Sequence, residues 1–553
     1  MSNERISTDA NSDTECLGGN TVTVENCTNS FRSLENADQV LSEFGSAQRY
    51  VLLITTLLSI NWVIVAMPVM HGTFMIDDDC FSNSTGSAEM NAKDVNECKE
   101  GSQATTPISE FNLRGKQRYL VEWTTSAFML GNMIGASSLT YLSDNIGRRP
   151  VLIFSLLSLG IVGILTSLSD NIVTFIVGRS VQGFCSPGSL LVGWVLGYEN
   201  VPVGLRGFVT LIYGVMWVVG FCAVAPLAYF IVNWRWVMVA YSTASIALAV
   251  IYFFTIPESL HFLIVNGRKQ KAAKWIRNAE KYGKVLHKRK VDMMVELLEN
   301  AYSNVKMNEN GKGMTENLRS PLLDELMEHK IFCIYTFILI FLWTSDTFLY
   351  YGLSNYSLHL PGNKYWNYVL SGLAELPAYI SIPYALENFG RKRVVMYMHF
   401  LVGISHVVLV FVPNGYIWLS SLCWLMSKFG ISSSFMSIYV YGSEIFPTTM
   451  RNVCLGLCAV VARFGGVAAP YVILLSSVDA LLPTTVFGLI AIIAGMLTYI
   501  LPETRQCVLP SSLDDTAQVK YNLSKSSTCQ EQSNPPATSS TDQSDQQMNL
   551  QKH

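Results

Sequence analysis

The sequence predicts an all-α membrane protein of about twelve transmembrane helices, divided into two pseudo-symmetric bundles of six. Hydrophobic residues make up 50% of the 553 positions and charged residues only 14%, with a mean hydropathy of +0.30, whereas soluble domains carry roughly 25% charged residues. Three charged motifs also recur in the same order about 245 positions later, which indicates a duplicated unit. Two homologous halves are typical of secondary transporters.

The three repeated motifs each lie beside an apolar segment. They are Asp144-Asn-Ile-Gly-Arg148-Arg149 with Glu387-Asn-Phe-Gly-Arg391-Lys392, Glu199-x-x-Pro202-x-x-x-Arg206 with Glu444-x-x-Pro447-x-x-x-Arg451, and Pro257-Glu258-Ser259 with Pro502-Glu503-Thr504. Because each copy keeps its charges and its spacing, we interpret them as equivalent positions of the two halves.

Segments of about 20 mainly apolar residues are long enough to cross a bilayer. They occur near 50–70, 119–142, 150–168, 171–197, 207–230, 236–256, 331–353, 365–386, 393–412, 416–440, 452–475 and 482–501. They predict an N-terminal bundle over 48–257 with an extracellular loop at 71–117, a cytoplasmic linker over 258–330 and a C-terminal bundle over 331–504. Residues 1–47 are predicted to be a cytoplasmic segment without a signal peptide, and 505–553 a disordered cytoplasmic tail.

Basic residues in the short loops fix the orientation. With the N-terminus in the cytoplasm, the short outer loops receive only Arg235 and Lys364, and the short inner loops receive Arg148, Arg149, Arg206, Arg391, Lys392, Arg393 and Arg451. The positive-inside rule therefore predicts cytoplasmic termini. The sequon at Asn83, between Cys80 and Cys98, then lies outside the cell, where it can be glycosylated and where a disulfide between the two cysteines can persist. Two free thiols and an unused sequon are the alternative.

The chain carries no sign of enzyme chemistry or of nucleic-acid binding. Its net charge is -3, and it contains no phosphate-binding loop, zinc-ligand spacing or nucleophile elbow, so we predict no cofactor, no metal and no enzyme activity. The basic stretch 268–290 is expected to meet the anionic inner leaflet of the bilayer, or only to set the topology, and not to bind nucleic acid. Its apolar positions Ala272, Trp275, Ile276 and Ala279 follow a helical period, which predicts an amphipathic helix.

Twelve spans in two halves, with Asp144-x-x-Gly-Arg148-Arg149 between spans 2 and 3, resemble the major facilitator superfamily. Within it, Ser443-Glu444-Ile-Phe-Pro447-Thr448-x-x-Arg451-Asn452 is similar to the signature of the organic cation, anion and zwitterion transporters, the solute carrier 22 family. Further matches are Gly178-Arg179-Ser-Val-Gln-Gly183, Asn233-Trp234-Arg235-Trp236, Glu375-Leu-Pro377-Ala and Leu501-Pro502-Glu503-Thr504. Sugar porters share some of these motifs, but this sequence lacks the Gln-Gln-x-Ser-Gly of their span 7. The resemblance implies the major facilitator fold and transport of small organic ions.

Ionisable groups at bilayer depth cost several kcal/mol unless they are paired or hydrated, so each is a candidate for function. Glu375, Lys428 and Arg463 fall near the predicted midplane, and Asp346 lies further out on span 7.

Two aromatic residues of span 7, Trp343 and Tyr350, are seven positions apart and therefore share one helix face. Their rings could attract an organic cation by roughly 0.5 to 2 kcal/mol per contact. In the cation branch of the resembled family, a similar Trp-x-x-Asp-x-x-x-Tyr and a Glu in span 8 belong to the binding cavity, which implies this role for Trp343, Asp346, Tyr350 and Glu375. The alternative is that the aromatic stripe only packs the bundle.

Arg463 points to a different substrate charge. The anion and carnitine branches of the resembled family have an Arg at this place in span 11, and a guanidinium can hold a carboxylate bidentately. The alternative is an internal ion pair with Glu375 or Glu122. Trp217 of span 5 would face the same cavity, with core packing as an equal alternative.

The charged residues of the repeated motifs are predicted to form a cytoplasmic gate. Carboxylates and guanidinium groups gathered at the inner ends of the spans can form a bidentate network, and breaking it would open the cavity inward as the halves rock about a midplane site. The alternative, that the basic residues only set topology, does not explain the carboxylate at fixed spacing from each. The predicted gate residues are Asp144, Arg148, Arg149, Glu199, Arg206, Glu387, Arg391, Lys392, Glu444 and Arg451.

These features predict a plasma-membrane carrier of small organic ions that works by alternating access, as a uniporter or an exchanger. Asp346 and Glu375 beside aromatic rings favour organic cations or zwitterions such as carnitine-like compounds. An organic anion exchanger using Arg463 and Lys428 is the main alternative, and a non-transporting membrane receptor or scaffold is another. The expected partners are the substrate and the lipid bilayer, and the sequence leaves the oligomeric state open.

Overall fold

The computed structural model describes residues 37–44, 49–76, 106–113, 117, 119–283, 292, 295, 330–413, 415–447, 450–476 and 478–505. The predicted sequon at Asn83 and the cysteines Cys80 and Cys98 lie outside these residues. Each of the predicted spans corresponds to a helix within them. These helices are α1 (Arg49–Met70), α2 (Tyr119–Ile146), α3 (Arg148–Ser167), α4 (Ile172–Glu199), α5 (Arg206–Phe230), α6 (Trp234–Thr255), α7 (Lys330–Tyr356), α8 (Lys364–Phe389), α9 (Arg391–Phe411), α10 (Ile417–Ile445), α11 (Arg451–Ala468) and α12 (Leu482–Thr498).

The helices have the length and composition of membrane spans. Among the described residues, eight are long and apolar enough to cross a membrane, and α12 is a shorter apolar helix. The remaining three, α2, α4 and α10, are 28, 28 and 29 residues long, but buried polar side chains such as Arg179 and Lys428 lower their hydropathy. Helices satisfy all their backbone hydrogen bonds internally, as lipid requires. The chain is a multi-pass membrane protein.

By its contacts the chain divides into two compact units. The first comprises the described residues of 1–317, 352–376 and 466–477, and the second those of 318–351, 377–465 and 478–553. The units therefore differ from the sequence halves, because parts of α7 and α8 and the segment after α11 belong to the first unit.

Close helix packing organises the first unit. Helix α4 packs on α2 and α3, α3 packs on α6, and α1 packs on α5. A Cβ atom at Gly131 of α2 would lie 1.9 Å from the carbonyl oxygen of Ser180 in α4, so only glycine permits this approach, as is usual for helices packed in membranes. The segment Lys364–Leu373 packs on α5, where the rings of Phe221 and Tyr368 stack at 4.5 Å between centroids.

Helix α8 is broken at Ala374 into Lys364–Leu373 and Glu375–Phe389. Pro377 explains the break, because its ring has no N–H and clashes with the carbonyl four residues earlier, at Leu373. Glu375 therefore begins a new helical segment. In the second unit, α9 packs on both α10 and α12.

The amphipathic helix predicted after the sixth span is confirmed as Lys269–Gly283. The four apolar positions named from the sequence are buried, and the ring of Trp275 packs edge-on against Tyr50 of α1 at 5.7 Å between centroids. The buried positions are Ala272, Trp275, Ile276 and Ala279.

Candidate functional site

The predicted site residues of α7 are buried in the second unit. Asp346 is fully buried, and its Oδ1 lies 2.8 Å from Nε2 of His399 in α9. The hydroxyl of Ser434 in α10 lies 3.2 Å from both carboxylate oxygens of Asp346. Neither His399 nor Ser434 was predicted from the sequence as a site residue, although the cost of ionisable groups at bilayer depth also makes His399 a candidate.

The Tyr350 ring, predicted to receive an organic cation, receives the chain's own ammonium group. Nζ of Lys428 lies 3.6 Å from the centroid of this ring, and it also donates to the Tyr350 carbonyl oxygen at 3.5 Å. Phe435 stacks on Tyr350 at 5.8 Å. Lys428 is fully buried, so this cation–π contact helps to stabilise a charge that would otherwise be costly at this depth.

A second aromatic pair joins α7 and α10. The rings of Trp343 and Tyr439 are 4.2 Å apart between centroids, and Tyr439 interacts electrostatically with Arg463. Arg463 is half-buried, and among the described residues of its own unit no carboxylate lies within ion-pair distance. The indole N–H of Trp343 is buried and has no acceptor in the described part of the chain. Within the part of the chain that the structure describes, Trp343 thus presents a buried donor without an acceptor, and Arg463 has no ion-pair partner in its own unit.

The first unit holds the other two predicted substrate residues. Trp217 is buried and packs edge-on against Trp62 at 6.1 Å, and Trp62 stacks on Tyr213 at 5.5 Å. Glu375 is fully buried and interacts electrostatically with Tyr368 of the same broken helix. Trp217 thus packs among aromatic rings.

The first copy of the charged motifs forms an ion-pair cluster in the first unit. Nε of Arg148 lies 3.0 Å from Oε2 of Glu199, and its Nη2 donates to Oε1 of the same carboxylate at 3.1 Å. Nη2 also lies 3.1 Å from Oδ1 of Asp144. Arg148 and Glu199 are largely buried, whereas the Asp144 side chain is 66% exposed.

The second copy forms the corresponding cluster in the second unit. Arg391 contacts Oε1 of Glu444 through Nε at 3.1 Å and Nη2 at 3.0 Å. The other carboxylate oxygen of Glu444 accepts the Thr504 hydroxyl at 2.6 Å. The structure therefore brings together Arg148 with Glu199 and, equivalently, Arg391 with Glu444.

Other predicted gate residues have different surroundings. Nη2 of Arg206 lies 2.7 Å from Oδ1 of Asp38. Nη2 of Arg451 is buried without a hydrogen-bond partner among the described residues, Nη2 of Arg149 donates to a backbone carbonyl, and Glu387 is exposed. Nζ of Lys392 lies 4.9 Å from the ring centroid of Tyr499.

Two carboxylates of the third repeated motif were not assigned to this network from the sequence. Oε1 of Glu258 accepts the backbone N–H of Arg148, and Oε1 of Glu503 accepts that of Arg391. Each helix begins after a glycine with positive φ, Gly147 at 124° and Gly390 at 92°. Glu258 and Glu503 recur at the same offset as the other two motifs. That spacing was the signal that could have identified both carboxylates.

Known proteins resemble this chain over most of its length. The sequence profile described as Major Facilitator Superfamily matches residues 50–470. A putative transporter of Caenorhabditis elegans is 36% identical and covers 87% of this chain and 91% of the relative. The organic cation transporter protein of Drosophila melanogaster is 32% identical, with 74% and 73% covered. Solute carrier family 22 member 1 of Oryctolagus cuniculus is 30% identical, with 76% and 74% covered.

A solved structure resembles the fold. The xylose transporter XylE from E. coli, in its inward open conformation, aligns with a TM-score of 0.58 at 15% identity, covering 83% of this chain and 98% of that chain. At this identity the likeness concerns the fold alone. The fold class predicted from the sequence is confirmed.

Proposed function

Because the chain belongs to the major facilitator superfamily and, within it, to the solute carrier 22 family, we propose that it carries small organic ions bearing an ammonium group, with zwitterions that also bear a carboxylate as preferred substrates. The family and fold are those of membrane transporters and not of enzymes. Relatives named organic cation transporters support the ammonium group.

Arg463 carries the proposal for the substrate carboxylate. Among the described residues of its unit, no carboxylate lies at ion-pair distance from the half-buried Arg463 guanidinium, and a substrate carboxylate would pair with it through a bidentate contact. The indole N–H of Trp343, in the same unit, has no acceptor among the described residues and would supply another hydrogen bond. This pair of donors is the observation that favours a zwitterion over a simple cation.

Carboxylates that interact with tyrosines support the ammonium end. Trp217 packs against the ring of Trp62 in the first unit, Glu375 interacts electrostatically with Tyr368, and Asp346 interacts electrostatically with Tyr439 in the second unit. Aromatic faces attract alkylammonium groups through the ring quadrupole. The proposed substrate contacts are Trp217, Trp343, Asp346, Tyr350, Glu375, Lys428 and Arg463.

An organic anion exchanger is the second candidate. The Lys428 ammonium already lies over Tyr350, and Asp346 lies at ion-pair distance from His399. Both contacts occupy groups of the second unit that would otherwise bind a cationic substrate. Arg463 then remains to bind an anionic substrate.

Transport by alternating access requires a gate, and the repeated charged motifs support one. We propose that the ten predicted gate residues, with Glu258 and Glu503 added, form it on the cytoplasmic side. The distribution of basic loop residues supports cytoplasmic termini, and the same orientation supports glycosylation of Asn83. We also propose a plasma-membrane location. The repeated motifs support two bundles over 48–257 and 331–504.

Uptake by cells expressing the full chain tests the substrate class. Labelled carnitine, tetraethylammonium and a dicarboxylate represent the zwitterion, cation and anion. We expect carnitine uptake to exceed that of mock-transfected cells most strongly, and unlabelled tetraethylammonium to compete with it. Uptake of the dicarboxylate alone would establish the exchanger instead, and uptake of none of these probes by protein present at the surface would contradict the proposal.

A further inference from the structure

His399 has more hydrogen-bond acceptors around its ring than a neutral imidazole can satisfy. Nε2 lies 2.8 Å from Oδ1 of Asp346, and Nδ1 lies 2.9 Å from the carbonyl oxygen of Val395. Carbonyl and carboxylate oxygens only accept hydrogen bonds, whereas a neutral imidazole has one N–H. Both contacts are satisfied only when the pair holds one more proton, either on the ring or on the Asp346 carboxyl.

The second buried histidine of α9 lacks this arrangement. Nδ1 of His406 lies 2.9 Å from the carbonyl oxygen of Val402 and 3.1 Å from the hydroxyl of Ser427. Its Nε2 is buried without a hydrogen-bond partner among the described residues. A neutral ring with its proton on Nδ1 satisfies every contact, so His406 needs no added proton.

The neighbouring helices bring few other charges to the pair. From α7 comes the carboxylate of Asp346, and from α10 comes the hydroxyl of Ser434, 3.2 Å from Nδ1 of His399. Helix α12 also packs on α9 but has no ionisable side chain over Leu482–Thr498. Other titratable groups described in this unit include Lys428 and Tyr439 on α10, Tyr350 and Tyr351 on α7, Arg463 on α11 and His406 on α9.

The net charge of the pair changes with its proton. With one added proton the His399–Asp346 pair is neutral, and without it the pair carries one negative charge. An isolated charge at bilayer depth costs several kcal/mol. An ammonium group beside Asp346 is the other way to neutralise that charge, so a proton and an ammonium-bearing substrate are alternative counter-charges.

We propose that His399 and Asp346 form a proton-binding site and that the carrier exchanges its ammonium-bearing substrate for a proton. On one side of the membrane, an N–H bond of the imidazolium or the O–H bond of the carboxyl breaks, the proton passes to water, and the substrate ammonium replaces it. On the other side the substrate leaves and a proton from water restores the neutral pair. This inference rests on the proposed transport function.

Proteoliposomes containing the full chain test the exchange, with the membrane potential clamped at zero. A lumen more acidic by one pH unit should accumulate labelled carnitine or tetraethylammonium about tenfold for one-to-one exchange. Adding unlabelled probe should also make the lumen more alkaline, which trapped pyranine reports without any mutation. Equal accumulation with and without the gradient would overturn the proton site while leaving the transport function intact. Failure of both probes to enter would overturn the transport function as well.

His399→Gln and His406→Gln form a matched pair of variants. Glutamine binds no proton, and its amide N–H can donate to the Asp346 carboxylate without an added proton, so the gradient-driven accumulation of His399→Gln should fall to the value without a gradient. His406→Gln should keep the wild-type ratio of accumulation with the pH gradient to accumulation without it. Persistence of gradient-driven accumulation in a monodisperse His399→Gln variant would contradict the proposal. Should His399→Gln fail to fold, the pyranine response of the wild type still decides.

Discussion

The Glu258 carboxylate accepts the backbone N–H of Arg148 at 3.0 Å. The same oxygen also lies 3.0 Å from the backbone nitrogen of Arg149, so it satisfies two of the donors that the first turn of α3 leaves without intrahelical partners. A negative charge at this position also stabilises the positive end of the helix dipole. The side chain of Arg148, the first residue of α3, pairs with Glu199. By holding the start of α3 in place, the Glu258 cap therefore also positions this ion pair.

Neutralising this cap should destabilise the protein. We expect Glu258→Gln to lower the free energy of unfolding by about 1 to 2 kcal/mol, because charge-assisted hydrogen bonds are lost. Asp144→Asn is the control, since its side chain is 66% exposed and exposed ion pairs contribute at most about 1 kcal/mol. Thermal unfolding of the purified variants measures the difference. A melting temperature of Asp144→Asn as low as that of Glu258→Gln would contradict this account.

Substitution of the glycine before α9 should destabilise the protein. Gly390 has a φ of 92°, and a Cβ atom there would lie 2.6 Å from Oε2 of Glu503. We expect Gly390→Ala to cost about 1 to 2 kcal/mol or more, because positive φ strains an L-residue and the Glu503 cap must shift. The control Gly456→Ala meets no atom within 4 Å in α11 and should stabilise the helix by up to about 1 kcal/mol. Thermal unfolding would refute the prediction if both variants moved the melting temperature in the same direction.

Arg463 should determine the affinity for the substrate carboxylate. Loss of a hydrogen-bonded charge contact of about 1.5 to 3 kcal/mol predicts that Arg463→Gln raises the KM for carnitine roughly 10- to 150-fold. The KM for tetraethylammonium, which has no carboxylate, should change much less. Concentration-dependent uptake, corrected for surface protein, measures both. Equal losses for the two probes would place Arg463 in a structural role.

Glu375 should govern ammonium-bearing substrates. Glu375→Gln keeps the size and polarity of a fully buried side chain but removes the charge that attracts an ammonium group, so tetraethylammonium uptake should fall at least tenfold, equivalent to about 1.4 kcal/mol. Glu280→Gln removes the same charge from the helix outside the spans and should leave uptake near wild type. Unchanged tetraethylammonium uptake by Glu375→Gln would remove this residue from the proposed site.

The repeated basic residues should differ in their effect on gating. Arg451→Ala removes a partly buried guanidinium proposed to hold the gate, and we expect faster maleimide labelling of the buried native Cys454 in the same helix. The control Arg393→Ala removes an exposed basic residue outside the proposed gate. Labelling of protein at the cell surface compares the two. Equal labelling rates would mean that these residues set topology alone.

The sequence by itself determined the spans, the duplication and the amphipathic helix at Lys269–Gly283. Hydropathy, helical period and motif spacing are properties of the sequence itself, so they can be recognised without the structure. Only the tertiary structure decided that Asp346 meets His399, that Lys428 covers Tyr350 and that Glu258 caps α3. The partners in each of these contacts lie on different segments of the chain. Which side chains meet depends on how each helix is rotated and where it crosses its neighbour, and close packing of the assembled helices sets both.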